Sequence, residues 1–305
     1  MEQFNPAPLV TVIIPTLCSA NRAESLKRGL RSIFDNQCST EAAVCVLVVV
    51  NGSSVDEPTF AFLQKQERVK ILRLNQPGVA KAQRVGRNAV DTRYFCFLDD
   101  DDELVSHSLA WRIEALERNR DIDVLVADGY RNENGVDLPC NSLPGLDEDP
   151  HECLLRANWL ASCAALFRTA SVRASLWDGV SDYYEFTIIA HALALESKIQ
   201  FDARFGYRIH FTPGSASQST AFRVAEISAL EKILAMPLPK KIRRGVEAKL
   251  GNAHHIEADQ LLRSGTRTAA WRHHQRSLVC PDGHRFVLYT RFFFAPDFLL
   301  RKSTK

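Results

Sequence analysis

Short, nearly uninterrupted apolar runs recur along the first third of the chain: residues 11–15 (TVIIP), 44–50 (VCVLVVV), 69–74 (VKILRL) and 94–98 (YFCFL). They are brief and rich in β-branched and aromatic residues, which predicts strands buried on both faces rather than helices. Between them the spacing changes. Leu26, Leu30 and Ile33 recur at helical intervals within residues 23–36, and residues 60–66 and 79–90 read as further helices. The second run closes on Asn51-Gly52-Ser53-Ser54, a turn composition. Strands alternating with helices indicate βαβ units and a largely parallel sheet. Such a sheet binds ligands beyond the carboxyl ends of its strands, where Asn51 and the acidic run after residue 98 fall.

The pattern then loosens. Residues 109–118 predict a helix and 124–127 a short strand, while 131–151, rich in Asn, Gly, Pro and acids, reads as a loop or lid. Residues 159–167 are apolar, 186–195 helical and 199–211 strand-like. From about residue 221 the spacing is helical, through Leu230, Ile233 and Leu234 and then Ile242, Val246 and Leu250. The division this suggests is a domain over residues 1–220 and a helical extension over 221–305.

Charge sharpens that division. The net charge of the 305-residue chain is +2, yet residues 221–305 hold 16 Lys and Arg against 7 Asp and Glu, leaving the front acidic. Two surfaces of opposite sign, or two sets of solvated helix faces, both follow from this balance. The 46% hydrophobic and 24% charged composition excludes a disordered or fibrous chain. No apolar run approaches the roughly 18 residues of a membrane span, and the first residues lack a basic and an apolar signal region. The 8 cysteines form no CxxC pair, so reduced thiols in a cytoplasm are the expectation.

The candidate chemistry centres on Asp99-Asp100-Asp101-Asp102, set directly after the fourth apolar run. Four adjacent carboxylates repel one another unless a cation offsets them. Oxygen ligands in this number suit Mg²⁺ or Mn²⁺, which commonly share them with phosphate oxygens. An acidic helix N-cap is the plainer reading, but a cap needs one Asp and not four.

TVIIPT at residues 11–16, Asn21-Arg22, VLVVVNGSS at 46–54, AQRVG at 82–86 and YFCFLDDDD at 94–102 together resemble family 2 glycosyltransferases of the GT-A fold. The resemblance covers about residues 9–215 and is specific as a set, whereas no single motif would suffice. It implies an α/β, mostly parallel sheet flanked by helices, here with a C-terminal helical extension. It also implies an inverting transferase that takes a nucleotide-diphosphate sugar and a divalent metal. Position by position, Thr16 and Asn51 would line the base and ribose pocket, with Asp99 and Asp100 near the ribose and diphosphate. Asp101 would be the main metal ligand of the DxD motif, with Asp102 beside it. Val50 stands where the family often has an acid, and Gln83-Arg84 where Ala-Arg-Asn is usual, which leaves the nucleotide open; Arg84 or Lys81 could still meet the diphosphate.

Two later stretches extend the resemblance. Family members place an acidic general base at a helix start, and here Ser181–Phe186 (SDYYEF) occupies that region. Glu185 is preferred for the role, with Asp182 the other choice and also suited to an N-cap. Tyr207-Arg208-Ile209-His210, followed by Gly214-Ser215-Ala216-Ser217, is similar to a stretch that closes the family's catalytic domain, making His210 a further metal ligand or diphosphate contact. The adjacent pairs His254-His255 and His273-His274 diverge on a helix and read as packing or surface residues. The tail, residues 285–305, mixes aromatics with bases and fits either a terminal segment packed on the domain, broken at Pro296, or an anchor on the inner face of a membrane. A glycan or lipid-linked acceptor follows from the resemblance, and no nucleic-acid partner does. Nucleotidyl transfer would want a glycine-rich phosphate loop that residues 15–19 lack, and a non-catalytic binding module on the same scaffold is the remaining alternative.

Overall fold

The computed structural model describes residues 8–35, 44–140, 145–212 and 219–294, and the chain divides into two compact units, Met1–Ser215 and Ala216–Lys305. In the first unit, β1 (Val10–Thr16), β2 (Val44–Asn51), β3 (Val69–Leu74) and β4 (Tyr94–Phe97) pair in parallel in the order β3-β2-β1-β4. Every residue of β1 and β4 is buried, which is why their sequences show no alternation. Helices α1 (Ala23–Phe34), α2 (Glu57–Gln64) and α3 (Val79–Asn88) make the crossovers. Asp56 caps α2 by accepting the Thr59 N–H at 3.0 Å.

The rest of the sheet is not parallel throughout. After β5 (Glu103–Leu104) and α4 (Ser108–Arg118), β6 (Val124–Glu133) turns back antiparallel to β7 (Val136–Pro139). Asn134 and Gly135 join them at φ of 53° and 85°, the left-handed pair that a two-residue hairpin demands. Much of the stretch read as a loop or lid is therefore a hairpin, and Arg208 ties it down through a two-pronged contact with Asp137 at 3.0 and 2.7 Å. The short helix α5 (Pro150–Cys153) and β8 (Ala165–Arg168) follow, then α6 (Glu185–Glu196) and β9 (Ile199–His210). The sheet runs β3-β2-β1-β4-β8-β6-β9-β5, with β8 antiparallel to both β4 and β6.

One aromatic cluster links the two halves. Phe95 stacks on Phe167 with centroids 4.8 Å apart, and Phe97 meets Trp177 at 5.5 Å and Phe186 at 5.6 Å. Such rings contribute a large share of core burial. Phe97 lies two residues before Asp99 and Phe186 directly after Glu185, so this packing holds the start of α6 against the end of β4.

The second unit contains α7 (Thr220–Leu234), capped by Ser219, then α8 (Lys240–Arg263), α9 (Arg267–Val279) and a run of 3-10 turns over Gly283–Phe294. The paired histidines lie in its core: His254 and His274 are buried, His254 and His273 approach Nδ1 to Nδ1 at 3.0 Å, and His255 stacks on Phe286. Among the described residues no helix is long and apolar enough to cross a membrane, and no cysteine is in a disulfide. Gly214–Ser217, Pro296 and Cys38 lie outside the described residues.

Candidate active site

Strand register brings the first site residues together. Ile13 pairs with Phe97, so Thr16 at the end of β1 comes level with Asp100 just past β4. The Thr16 hydroxyl donates to Asp100 Oδ2 at 2.6 Å and accepts the Cys18 N–H at 2.9 Å. Asn51, at the end of β2, is 4% exposed and spent on the backbone: its amide donates to the Thr16 carbonyl at 3.0 Å and its oxygen accepts the Gly78 N–H at 3.1 Å. Asn51 thus fixes the start of α3 against the end of β1. Gly78 takes φ 146° there, a value that strains any side-chain-bearing residue.

Asp99–Asp102 form a tight turn, closed by the Asp102 N–H on the Asp99 carbonyl at 3.1 Å, and each carboxylate has its own surroundings. Asp99 accepts from Ser162 at 2.7 Å. Asp101 accepts from Thr212 at 2.8 Å and forms an ion pair with Arg22, whose guanidinium also lies 3.6 Å from Asp100. Asp102 is 3% exposed and accepts the His210 backbone N–H at 3.1 Å. Arg28 holds the turn from outside by donating to the Asp101 carbonyl at 2.7 Å.

Burial, reinforced by mutual repulsion, pushes Asp99 and Asp100 each up to about 6, despite the hydrogen bonds from Ser162 and Thr16. Burial also raises Asp102 well above the usual carboxylate range, with the Asp99 charge adding to it. Burial alone would lower Arg22, but Asp100 and Asp101 hold it above its ordinary value. The turn carries more negative charge than one guanidinium offsets.

Glu185 is the first residue of α6, is 7% exposed, and feels the charges of both Asp99 and Asp182. Its Oε1 is buried without a hydrogen-bond partner among the described residues. Burial first, then those two neighbouring charges, pushes it up to about 7 against the pull of backbone N–H groups. Asp182 does not cap α6, whose N-cap is Tyr184 without a side-chain capping bond. It crosses instead to the start of α3, accepting the Ala80 N–H at 2.8 Å, where the helix dipole favours an anion. The N-terminus of a different helix has captured it.

Three expected participants sit differently from the rest. Arg84 faces Asp178 at 3.9 Å and Lys81 binds Gln76, so each base is engaged with a partner outside the acidic turn. The His210 ring contacts Glu103 Oε2, so His210 reaches Asp102 through its backbone. Sequence reading gave no role to Arg22, Ser162 or Thr212. Only Arg22 had any signal, as part of the Asn21-Arg22 pair, because the other two lie in apolar or polar stretches without a motif.

A glycosyl transferase family 2 model matches residues 11–174, more than half of the chain. The chain belongs to glycosyl transferase family 2. It is similar to an uncharacterized glycosyltransferase of Rickettsia prowazekii (strain Madrid E), 28% identical over 131 residues that make up 43% of this chain and 39% of that protein. The chain thus aligns with well under half of that relative's length. Among solved structures, residues 1–349 of S. aureus TarS in complex with UDP-GlcNAc match with a TM-score of 0.64 at 16% identity, over 96% of this chain and 89% of that one. The same fragment in complex with UDP matches with a TM-score of 0.60 at 15% identity, over 96% and 88%. At these identities the likeness shows the fold, which is of the GT-A type.

The donor set of this family 2 chain suits a hard divalent cation. Its ligating atoms are carboxylate oxygens, and a cation would relieve both the burial and the mutual repulsion that raise Asp99 and Asp100. No group of three or more His, Cys, Asp or Glu side chains among the described residues is arranged to hold a metal. Mg²⁺ and Mn²⁺ do not need one, since they bind through one or two carboxylates and complete their shell with water and phosphate oxygens.

Proposed function

We propose that the chain is an inverting glycosyltransferase that moves a sugar from a uridine diphosphate donor to a hydroxyl of a glycan or lipid-linked acceptor. The observation that carries this is the pairing of two carboxylate environments at one strand edge. An over-charged, partly exposed acidic turn stands at the end of β4, and a buried glutamate with a free oxygen stands at the start of the helix packed against it. Burial raises the carboxyl groups of both, but only the turn has a guanidinium beside it, which divides them into an anion-and-cation platform and a proton acceptor. The UDP-GlcNAc and UDP complexes of TarS, which shares the fold, support a uridine donor.

In this reading Asp101, with Asp99 or Asp100, holds Mg²⁺ or Mn²⁺, which when bound offsets the charge that develops on the departing diphosphate. Thr16 and Asn51 shape the floor beneath the nucleotide, and Arg22 is the cation at hand for its phosphates. Glu185 accepts the acceptor's hydroxyl proton as that oxygen bonds to the anomeric carbon. The bond from the anomeric carbon to the phosphate oxygen breaks in the same step, and nucleoside diphosphate leaves. Asp182 holds the start of α3 and so keeps Asn51 and Gly78 in place. Reaction would take place at the cytoplasmic face of a membrane if the acceptor is lipid-linked.

The test is nucleotide release from UDP-, GDP-, CDP- and dTDP-sugars, with and without Mn²⁺, for wild type and Glu185→Gln. Metal-dependent release from one donor class, lost in Glu185→Gln while that variant still binds the nucleotide, supports the assignment. Release that survives Glu185→Gln unchanged removes Glu185 as the base. Failure of every nucleotide to bind would favour a non-catalytic module.

A further inference from the structure

The 3-10 run Gly283–Phe294 in the second unit has two unlike sides. With three residues per turn, positions i and i+3 eclipse and form rows along the axis. Phe286 and Tyr289, on one such row, and Phe293 beside it face inward: Phe286 stacks on His255 at 4.1 Å, Tyr289 donates to Asp259 at 2.6 Å, and Phe293 meets Trp271 at 5.0 Å. Residues 283–294 are therefore packed on their unit. The opposite row is Arg285, Leu288, Arg291 and Phe294, all exposed, with Leu288 76% and Phe294 81% open to solvent. Val287, beside that row, is 55% exposed, and Val279 at the end of α9 is 85% exposed. The three most exposed large apolar side chains among the described residues, Val279, Phe294 and Leu288, all fall within this short stretch.

We propose that this outward row docks on an anionic lipid surface. Base, aliphatic, base and aromatic alternate along it, and Gly283–Phe294 contains no Asp or Glu. Arg285 lies over the Phe286 ring at 5.5 Å and Arg291 over the Phe292 ring at 5.0 Å, so each guanidinium is carried beside the apolar side chains. That arrangement lets Leu288 and Phe294 enter the headgroup region while the bases stay at the phosphates. The surplus of 16 bases over 7 acids across residues 221–305 adds long-range attraction to negative lipid. A nucleic acid would use the arginines but gains nothing from exposed leucine and valine, and a neutral apolar partner would leave the arginines without a counter-charge. This surface does not depend on the proposed transfer chemistry.

The experiment is co-sedimentation of the full chain with phosphatidylcholine vesicles, alone or with about 30% phosphatidylglycerol. Binding to the anionic vesicles alone is expected, weakening as salt rises from about 0.1 M towards 0.5 M. Arg285→Gln with Arg291→Gln should weaken it about 30-fold, from the usual contribution of a base near such a surface. Leu288→Ser with Phe294→Ser should weaken it at least about tenfold by removing the inserting groups. Both pairs are exposed, so their melting temperatures should match wild type. Absent binding, equal binding to neutral vesicles, or full binding by either pair would overturn the proposal. So would lipid-free self-association that Leu288→Ser with Phe294→Ser abolishes, since the row would then be a contact between copies.

Discussion

Raising the pH from about 6 to about 8 should switch transfer on through one carboxyl group, Glu185. Its pKa is pushed up to about 7 by burial, with Asp99 and Asp182 adding repulsion. A base acts only when deprotonated, so about a tenth of the enzyme is competent at pH 6 and about nine-tenths at pH 8, a roughly tenfold rise. Glu185→Gln should lose about 10²- to 10⁴-fold in turnover and lose this limb of the profile. The same shift has a second, opposite consequence for stability. The folded state holds the Glu185 proton more tightly than the unfolded chain, whose glutamate titrates near 4.5, so stability falls as pH rises from 4.5 through about 7. The loss is at most about 3 kcal/mol. Glu185→Gln, neutral at every pH, should therefore melt above wild type at pH 8 while being inactive. The assay is nucleotide release at saturating donor and metal over this pH range, paired with thermal melts. A flat wild-type profile, or the same limb in Glu185→Gln, would refute the reasoning, because the titrating group would then be elsewhere.

Three further outcomes are expected. Acid should loosen the C-terminal helices: burial, with His273 and Arg276 adding to it, lowers His254 to about 4, and burial also lowers His255 and His274. The unfolded chain then binds more protons, so stability is full above about 6.5 and lost as pH falls towards about 4, and circular dichroism melts across that window would show it. Gly129→Ala would set a Cβ 2.3–2.5 Å from ring atoms of the fully buried Tyr207, its partner across β6 and β9, at a cost of about 1–3 kcal/mol; calorimetry should find a melting point lower by about 2–12 °C. Arg22→Gln removes the cation that occupies Asp100 and Asp101, so Mn²⁺ alone should bind severalfold more tightly in a titration without nucleotide, while UDP alone should bind more weakly.

The parallel half of the sheet is legible in the sequence for a physical reason. Strands buried on both faces must be apolar throughout, so TVIIP and VCVLVVV announce themselves, and the motif that follows each run lands at the carboxyl edge of the sheet. The antiparallel half is quieter. The β6–β7 hairpin carries Asn134-Gly135, a strong turn signal, but its partly exposed strands include Arg131, Asn132 and Glu133, and that polarity reads as loop. Within the candidate site, local chemistry marked Asp99–Asp102, and the family resemblance added Thr16 and Asn51. Partners brought in by tertiary packing were not readable: Ser162 reaches Asp99 across two antiparallel strands, and Asp182 reaches α3 from the other half of the unit. N-cap propensity identified Asp182 as a helix-capping residue and not which helix it would cap.

The most direct test of a metal-assisted nucleotide site is calorimetric titration of UDP, GDP, CDP and dTDP into the full chain, with and without Mn²⁺, for wild type and Asp101→Ala. UDP binding that requires both Mn²⁺ and Asp101 is the predicted result. Nucleotide binding indifferent to both, or no binding of any of the four, would contradict the assignment of the acidic turn as the donor site.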